Sequence, residues 1–316
     1  MGFVIGIDGG GTKSIGYIAD DNGKILGKSK SGSLNFHSQG EKSVKEHLHE
    51  LISSLTYMVG CSMKDVELIS MGIAGIGRNK DRNTFLSIIS SLNIESNLFL
   101  TTDIHIALVG AHGKEKGIFT LSGTGSISFA IDSYGRQYRV GGWGHIIGDE
   151  GSGYDIARRG LALVAKTADG IGKNLSLMDR VFQHYGVKDT DDFIRYIYNP
   201  LRTKADIAKI SEDVYHCALK GDNECLEILE KASKDLVDLT IGLISKIPLE
   251  NEYIVSVGGG VFDNMDLVYK YFTNALNKYK YNITVKSPMY SPVIGALILA
   301  FNNLNKKIDN EIWENY

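Results

Sequence analysis

The chain has 316 residues, 43% of them hydrophobic and 22% charged, with a formal net charge of −3 at pH 7. That composition predicts a soluble globular protein with room for two modest domains, and the lack of a basic block argues against nucleic acid as a partner. No apolar run approaches the roughly 20 residues of a membrane span, so the expected partner is a small molecule. Asp8 interrupts the opening apolar run where a signal peptide would carry its long apolar core, and a cytoplasmic protein is expected. Cys61, Cys217 and Cys225 are too few and too far apart for a disulfide framework or a zinc site.

Phe3 to Ser14 reads F-V-I-G-I-D-G-G-G-T-K-S. An apolar strand ends at Asp8, and alternation resumes at Ile15 to Ala19, so a carboxylate sits at the mouth of a hairpin turn made of three glycines and a threonine. Adjacent glycines lose conformational entropy on folding, and a compensating gain is backbone N–H groups that approach a phosphate with no Cβ in the way. A plain glycine hairpin is the simpler alternative; the strand and the carboxylate favour phosphate and metal. Two commoner glycine motifs are excluded by spelling. A Walker loop needs its lysine one place earlier than Lys13, and the third glycine of a dinucleotide fingerprint is replaced by Ser14.

Asp20 to Gly23 is a turn signal, and Lys24 to Ser31 predicts a third strand. A polar loop follows from Ser31 to Gly40. Val44, Leu48, Leu51, Ile52 and Leu55 recur at helical spacing within Glu41 to Val59. Val66 to Ile73 reads as a strand running into the glycine-rich turn 72–77, Asp81 to Leu92 as a helix, and Leu98 to Thr101 as a short strand ending at Thr102-Asp103. Alternating strands and helices imply a mixed or parallel sheet covered on both faces.

A second unit then opens as the first did. Lys116 to Leu121 is strand-like, breaks into Ser122-Gly123-Thr124-Gly125-Ser126, and resumes at Ile127 to Ile131, with Gln137 to Val140 beyond. Two glycine hairpins of this kind predict an internal duplication and two turns that grip one polyphosphate. Gly141 to Gly153 is a glycine-rich loop with two adjacent carboxylates, Asp149 and Glu150. Helical patterns fill Tyr154 to Ile247. Tyr253 to Val257 is a buried strand leading to Gly258-Gly259-Gly260 and a helix from about Asn264; Ile283 to Val285 is a last strand. Ser291-Pro292 opens a final apolar helix, with proline in its first turn.

The ordered set I-G-I-D-G-G-G-T-K (5–13), L-N (34–35), T-T-D (101–103), L-S-G-T-G-S (121–126) and G-G-W-G-x-x-x-G-D-E-G-S (141–152) resembles the sugar kinases and ATPases of the actin and hexokinase superfamily. Within it the likeness is to the N-acetylglucosamine kinase group of BadF/BadG/BcrA/BcrD type. The resemblance implies an α/β fold of two actin-like, ribonuclease H-like lobes with a nucleotide and sugar cleft between them. One lobe would comprise residues 1–114 and 293–316; the other, residues 115–292, would bind nucleotide and carry a helical insertion. It further implies an ATP- and Mg²⁺-dependent kinase acting on the 6-hydroxyl of an amino sugar. N-acetylglucosamine is first choice and N-acetylmuramic acid second, and a homodimer is expected.

By the same resemblance, Asp8 would hold Mg²⁺ through water, and Gly9, Gly10, Gly11, Thr12 and Lys13 would cradle the β- and γ-phosphates. Thr124 and Gly125 would form an opposing clasp, and Gly258, Gly259 and Gly260 would receive adenine and ribose. Asp103 would be the general base, with Asn35, Gly75, Gly123, Thr124 and Asp149 about the sugar. Each residue has a structural alternative. Asp103 could cap a following helix, Asn35 could make an Asx turn, Lys13 could be a solvated hairpin lysine, and Trp143 could be a buried wedge in place of a sugar-stacking face. His37, His105 and His145 are unassigned. Rival readings are a broad-specificity hexokinase or glucosamine kinase, a sugar sensor without chemistry, and a BadF-type activator ATPase, which needs thiolates for an iron–sulfur cluster.

Overall fold

The computed structural model describes residues 2–92, 94, 96–248, 250–314 and 316. It divides into two units, Met1–Gly117 with Ser133–Gly135 and Ser287–Tyr316, and Ile118–Asp132 with Arg136–Lys286.

The first unit begins with strands β1 (Phe3–Gly9), β2 (Lys13–Asp20) and β3 (Ile25–Gly32), followed by α1 (Phe36–Val59), β4 (Val66–Ile73), α2 (Asn79–Ser90), β5 (Asn97–Thr102) and α3 (Asp103–His112). Its five described strands lie in the order β3-β2-β1-β4-β5. The β1–β2 and β2–β3 pairs are antiparallel, and β4 and β5 extend the sheet in parallel. Parallel pairing needs crossovers, which α1 and α2 supply. The face of α1 carrying Val44, Leu48, Leu51 and Leu55 is fully buried with Ile5, Ile7, Ile18 and Ile69 of the sheet, as the helical spacing of these residues requires.

The second unit repeats the plan. Strands β6 (Gly117–Ser122), β7 (Ser126–Ile131) and β8 (Gln137–Gly141) precede six helices: α4 (Gly153–Ala168), α5 (Leu175–Tyr185), α6 (Thr190–Ile197), α7 (Lys204–Ala208), α8 (Ser211–Leu219) and α9 (Asn223–Ile244). Then come β9 (Tyr253–Gly258), α10 (Gly260–Asn264), α11 (Asp266–Leu276) and β10 (Ile283–Lys286), before α12 (Pro292–Asn303) returns to the first unit. The strand order β10-β9-β6-β7-β8 is the order of the first sheet; β9 and β10 join in parallel and β8 antiparallel. Both halves thus place one glycine turn after the central strand of a five-stranded sheet. The core of this unit is built along α9, whose Cys225, Leu229, Ala232, Leu236 and Leu243 are buried.

Two of the boundaries that differ from the sequence reading bear on the site. The segment 31–40 is not a loop throughout, because α1 starts at Phe36 and Asn35 caps it, with its Oδ1 accepting from the His37 amide at 3.0 Å. Gly40, at φ 77° and ψ 157°, interrupts the helix, and the apolar periodicity that marks a start at Glu41 registers only the part beyond this break. After β9 the chain turns helical at Gly260, not near Asn264, because Gly259 takes φ 96°, a conformation open to glycine.

In the first unit α12 lies against α3 at unusually short range. A Cβ on Gly295 would collide with the Ile106 carbonyl oxygen, and one on Gly110 would stand 2.5 Å from the carbonyl oxygen of Ser291. Small residues let the two backbones meet, and this contact fixes the helix that begins at Asp103.

Candidate active site

In the first unit the C-terminal ends of β1 and β5 present the two aspartates. Asp8 is next to last in β1, and its pKa is raised to about 7 by burial first, then by the charge of Asp103, with Lys13 opposing. Asp103 is the first residue of α3; its Oδ1 accepts the Ile104 amide at 2.9 Å. Burial nonetheless lifts the Asp103 carboxyl above the usual carboxylate range, outweighing that hydrogen bond. The cap of α3 is Thr102 and no side chain caps the helix, so Asp103 is not its cap; its Oδ1 takes an amide inside the first turn. Nearby, Thr101 Oγ1 lies 2.8 Å from Nδ1 of buried His105, whose pKa burial lowers against the opposing charge of Glu115.

The turn between β1 and β2 is braced from behind. The Gly10 amide donates to the Lys13 carbonyl at 3.1 Å, the Ala74 amide to the Gly9 carbonyl at 2.8 Å, and Ser33 Oγ to the Gly10 carbonyl at 3.0 Å. A Cβ on Gly9 would press on Ile73 and Leu34, whereas at Gly11 nothing lies within 4 Å. Gly11, Thr12 and Lys13 are exposed. The packed side of the turn faces the protein and its open side faces outward, as a phosphate cradle requires.

Asn35 and Gly75 come together in this unit. A Cβ on Gly75, whose φ is 86°, would lie 3.1 Å from Asn35 Oδ1 and 3.2 Å from His37 Cδ2. Because Oδ1 is spent on the helix cap, Asn35 has its Nδ2 donor to offer. His37 Nε2 lies 3.3 Å from Asp81 Oδ1; neither residue was assigned from sequence.

In the second unit, the Ser122–Ser126 turn is held by Ser122 Oγ on the Gly151 carbonyl and Ser126 Oγ on the Glu150 carbonyl, at 2.8 and 2.7 Å. The Gly153 amide reaches the Gly123 carbonyl at 2.8 Å. Thr124 is exposed and Gly123 has nothing within 4 Å of its Cβ position. The glycine turn 258–260 packs onto the same strand end, where a Cβ on Gly259 would lie 2.6 Å from the Ser122 carbonyl oxygen. Asp149, expected at the sugar, is buried with its carboxylate already engaged. Oδ1 accepts the Ser126 amide at 3.3 Å and Oδ2 pairs with Lys204. Glu150 is exposed. Trp143 is 60% exposed, so it is no buried wedge, and the Arg139 guanidinium lies 5.6 Å from its ring centre.

Asp8 and Asp103 offer hard carboxylate oxygens that suit Mg²⁺, an ion that takes one or two carboxylates and leaves its other positions to water and phosphate. Among the described residues no group of three or more His, Cys, Asp or Glu is placed to hold a metal by itself. Burial raises the pKa of Cys61, Cys217 and Cys225 alike.

The raised pKa of Asp8 has a consequence for the ligand-free protein. The folded chain holds a proton on Asp8 up to about pH 7, whereas the unfolded chain releases it near 4. This residue therefore lowers stability progressively as pH rises from about 4 to about 7, and the penalty is constant above. Asp8→Asn removes the penalty, so its melting temperature should exceed that of the native chain at pH 8, with the gap closing towards pH 4. Parallel thermal melts across that range, without nucleotide or divalent ions, check this; a gap that does not vary with pH would exclude it.

Comparison with known proteins agrees with this geometry. The chain is 34% identical over 301 residues to an N-acetylmuramic acid/N-acetylglucosamine kinase of Clostridium acetobutylicum, covering 95% of this chain and 98% of that one. It is 31% identical over 311 residues to an N-acetyl-D-glucosamine kinase of Dictyostelium discoideum, again covering 95% and 98%. Its fold matches the crystal structure of a candidate N-acetylglucosamine kinase from Chromobacterium violaceum with a TM-score of 0.79 at 24% identity, over 95% of this chain and 99% of that one. Residues 5–300 match the BadF/BadG/BcrA/BcrD ATPase family, and with two glycine turns, each following the central strand of one of two like-ordered sheets, the chain belongs to it.

Proposed function

We propose that this protein is an ATP-dependent sugar kinase that transfers the γ-phosphoryl group to the 6-hydroxyl of an amino sugar, N-acetylglucosamine foremost and N-acetylmuramic acid next. The observation that carries this reading is the pair of carboxylates at the C-terminal ends of β1 and β5, on either side of β4 in one sheet, with Asp8 at an open glycine turn, Asp103 at a helix start and the pKa of both raised. The full-length kinase relatives support the substrate class.

Phosphoryl transfer asks for charge neutralisation, in-line positioning and an acceptor for the hydroxyl proton. Asp103 is the proton acceptor, since a carboxyl whose pKa burial raises accepts a proton more readily than an ordinary one. Asp8 holds Mg²⁺, which when bound neutralises phosphate charge. In the first unit the 9–13 turn offers backbone donors to phosphate; in the second the 123–125 turn does the same and the 258–260 turn receives the nucleoside. Asn35 Nδ2 donates to the sugar, beside Gly75. The expected working form is a homodimer, by resemblance to the family, in the cytoplasm.

ADP release measured with N-acetylglucosamine, N-acetylmuramic acid, glucosamine and glucose in turn tests the reading. Turnover should be low without sugar and rise most with N-acetylglucosamine, because water is excluded only once the sugar fills its place. Full-rate hydrolysis without sugar, or no stimulation by any of the four, overturns it. In the same assay Asn35→Ala should lower the efficiency ratio of N-acetylglucosamine to glucose by the equivalent of about 1–3 kcal/mol, the usual cost of a lost buried partner. An unchanged ratio would mean that Asn35 does not read the acetamide.

A further inference from the structure

Asp149 is a buried carboxylate directly behind the Ser122–Ser126 turn. It is 5% exposed, and its oxygens lie 3.0 and 3.1 Å from where a Cβ on Gly125 would stand. Its backbone is left-handed, φ 63°, one of two described non-glycine residues with positive φ; such a conformation is held only where its surroundings insist on it. Oδ1 takes the Ser126 amide and Oδ2 takes the ammonium of Lys204, the first residue of α7, 55 positions along the chain. The same ammonium lies 5.9 Å from the ring centre of Tyr154, whose ring meets His145 edge-on at 4.9 Å. One lysine thus ties the end of the 141–153 loop, the start of α4 and the turn together.

The electrostatics of this arrangement require the cation. A polyphosphate docked on the 123–125 turn would face a negative charge one residue layer behind its donors, and unit charges in a poorly screened site repel strongly. A lone buried carboxylate is also costly in itself. We propose that Lys204 is a positioning residue for nucleotide binding: it cancels the charge of Asp149 behind Gly125 and Ser126, so that the turn can accept the β- and γ-phosphates. This rests on the reading of that turn as a phosphate clasp.

The test measures binding of a non-hydrolysable ATP analogue and of AMP by calorimetry, with Mg²⁺ present, together with melting temperatures. The proteins are the native chain, Lys204→Met, Lys204→Arg, Asp149→Asn and the double variant Lys204→Met/Asp149→Asn. Lys204→Met should bind the triphosphate roughly tenfold or more weakly while its AMP affinity stays unchanged, and Lys204→Arg should keep most of the affinity. The double variant, from which both charges are gone, should recover triphosphate binding towards that of Asp149→Asn alone. Should Lys204→Met fail to fold, the comparison of the double variant with Asp149→Asn still decides, because equal affinities are required if the lysine acts only through the aspartate. An unchanged triphosphate affinity in Lys204→Met, an equal loss for AMP, or a double variant weaker than Asp149→Asn overturns the proposal. A native chain that binds the triphosphate no better than AMP instead overturns the clasp reading on which it stands.

Discussion

Asp103→Asn should lower kcat by roughly 10²–10⁴, the usual contribution of a general base, while the affinities for nucleotide and sugar change little. The substitution keeps shape, and the asparagine oxygen can still accept the Ile104 amide that Asp103 Oδ1 accepts at 2.9 Å, so α3 should start where it does now. What is lost is basicity, which burial has raised in the native side chain. The neighbouring Asp8 provides the contrast. Its charge acts on the metal–nucleotide complex, so Asp8→Asn should show its main defect in Mg²⁺–ATP binding. Steady-state kinetics beside calorimetric titrations separate the two aspartates. If Asp103→Asn keeps most of its kcat, or if its chief loss is Mg²⁺–ATP affinity, the base lies elsewhere.

The largest effect on folding is expected at Gly295. Alanine there would drive its methyl group into the Ile106 carbonyl oxygen of α3, with the Gly110 amide next in line, and backbone on both sides leaves nothing flexible to give way. Relief requires α12 to move off α3. Both helices are buried along most of their length, with Ile106, Leu108, Val109, Ile294, Leu297 and Leu299 inaccessible, so separation would open voids among well-packed side chains. We expect a loss of about 3–5 kcal/mol, at the extreme of single substitutions and a large share of the stability of an ordinary domain. Gly77→Ala is the control, since nothing lies within 4 Å of that Cβ position; it should melt with the native chain. A Gly295→Ala protein that melts within a degree or two of native would show that the two helices separate freely. Because α3 begins with Asp103, a smaller displacement that spares the fold should still appear as reduced kcat.

Local pattern alone determined a good deal about this protein. Strands, helices and the two glycine hairpins are written in runs of three to eight residues, where side-chain periodicity and turn chemistry act directly. The repeat of strand, glycine turn and strand announced two units before any sheet order was known. Asp8 stood out as a carboxylate at the mouth of a bare turn, whereas Asp103 was singled out by the family resemblance of the T-T-D run. What only the tertiary structure decided depends on residues distant in the chain. Asn35 looked like a loop residue because its helix cap spans two residues and leaves no apolar trace, and the break at Gly40 hid the turn before it. Lys204 carries no local signal at all. It is one lysine among many in a helical region, and its meaning comes from a buried carboxylate 55 positions away. Asp149, in turn, was readable as a polar loop residue facing a ligand, yet packing sent its carboxylate inward to a backbone amide and a lysine. The close approach of α3 and α12 is likewise invisible in a string where Gly110 and Gly295 are two of 36 glycines. Charge pairing and backbone contact at long range are set by where the sheets deliver their ends, and no window along the chain contains that information.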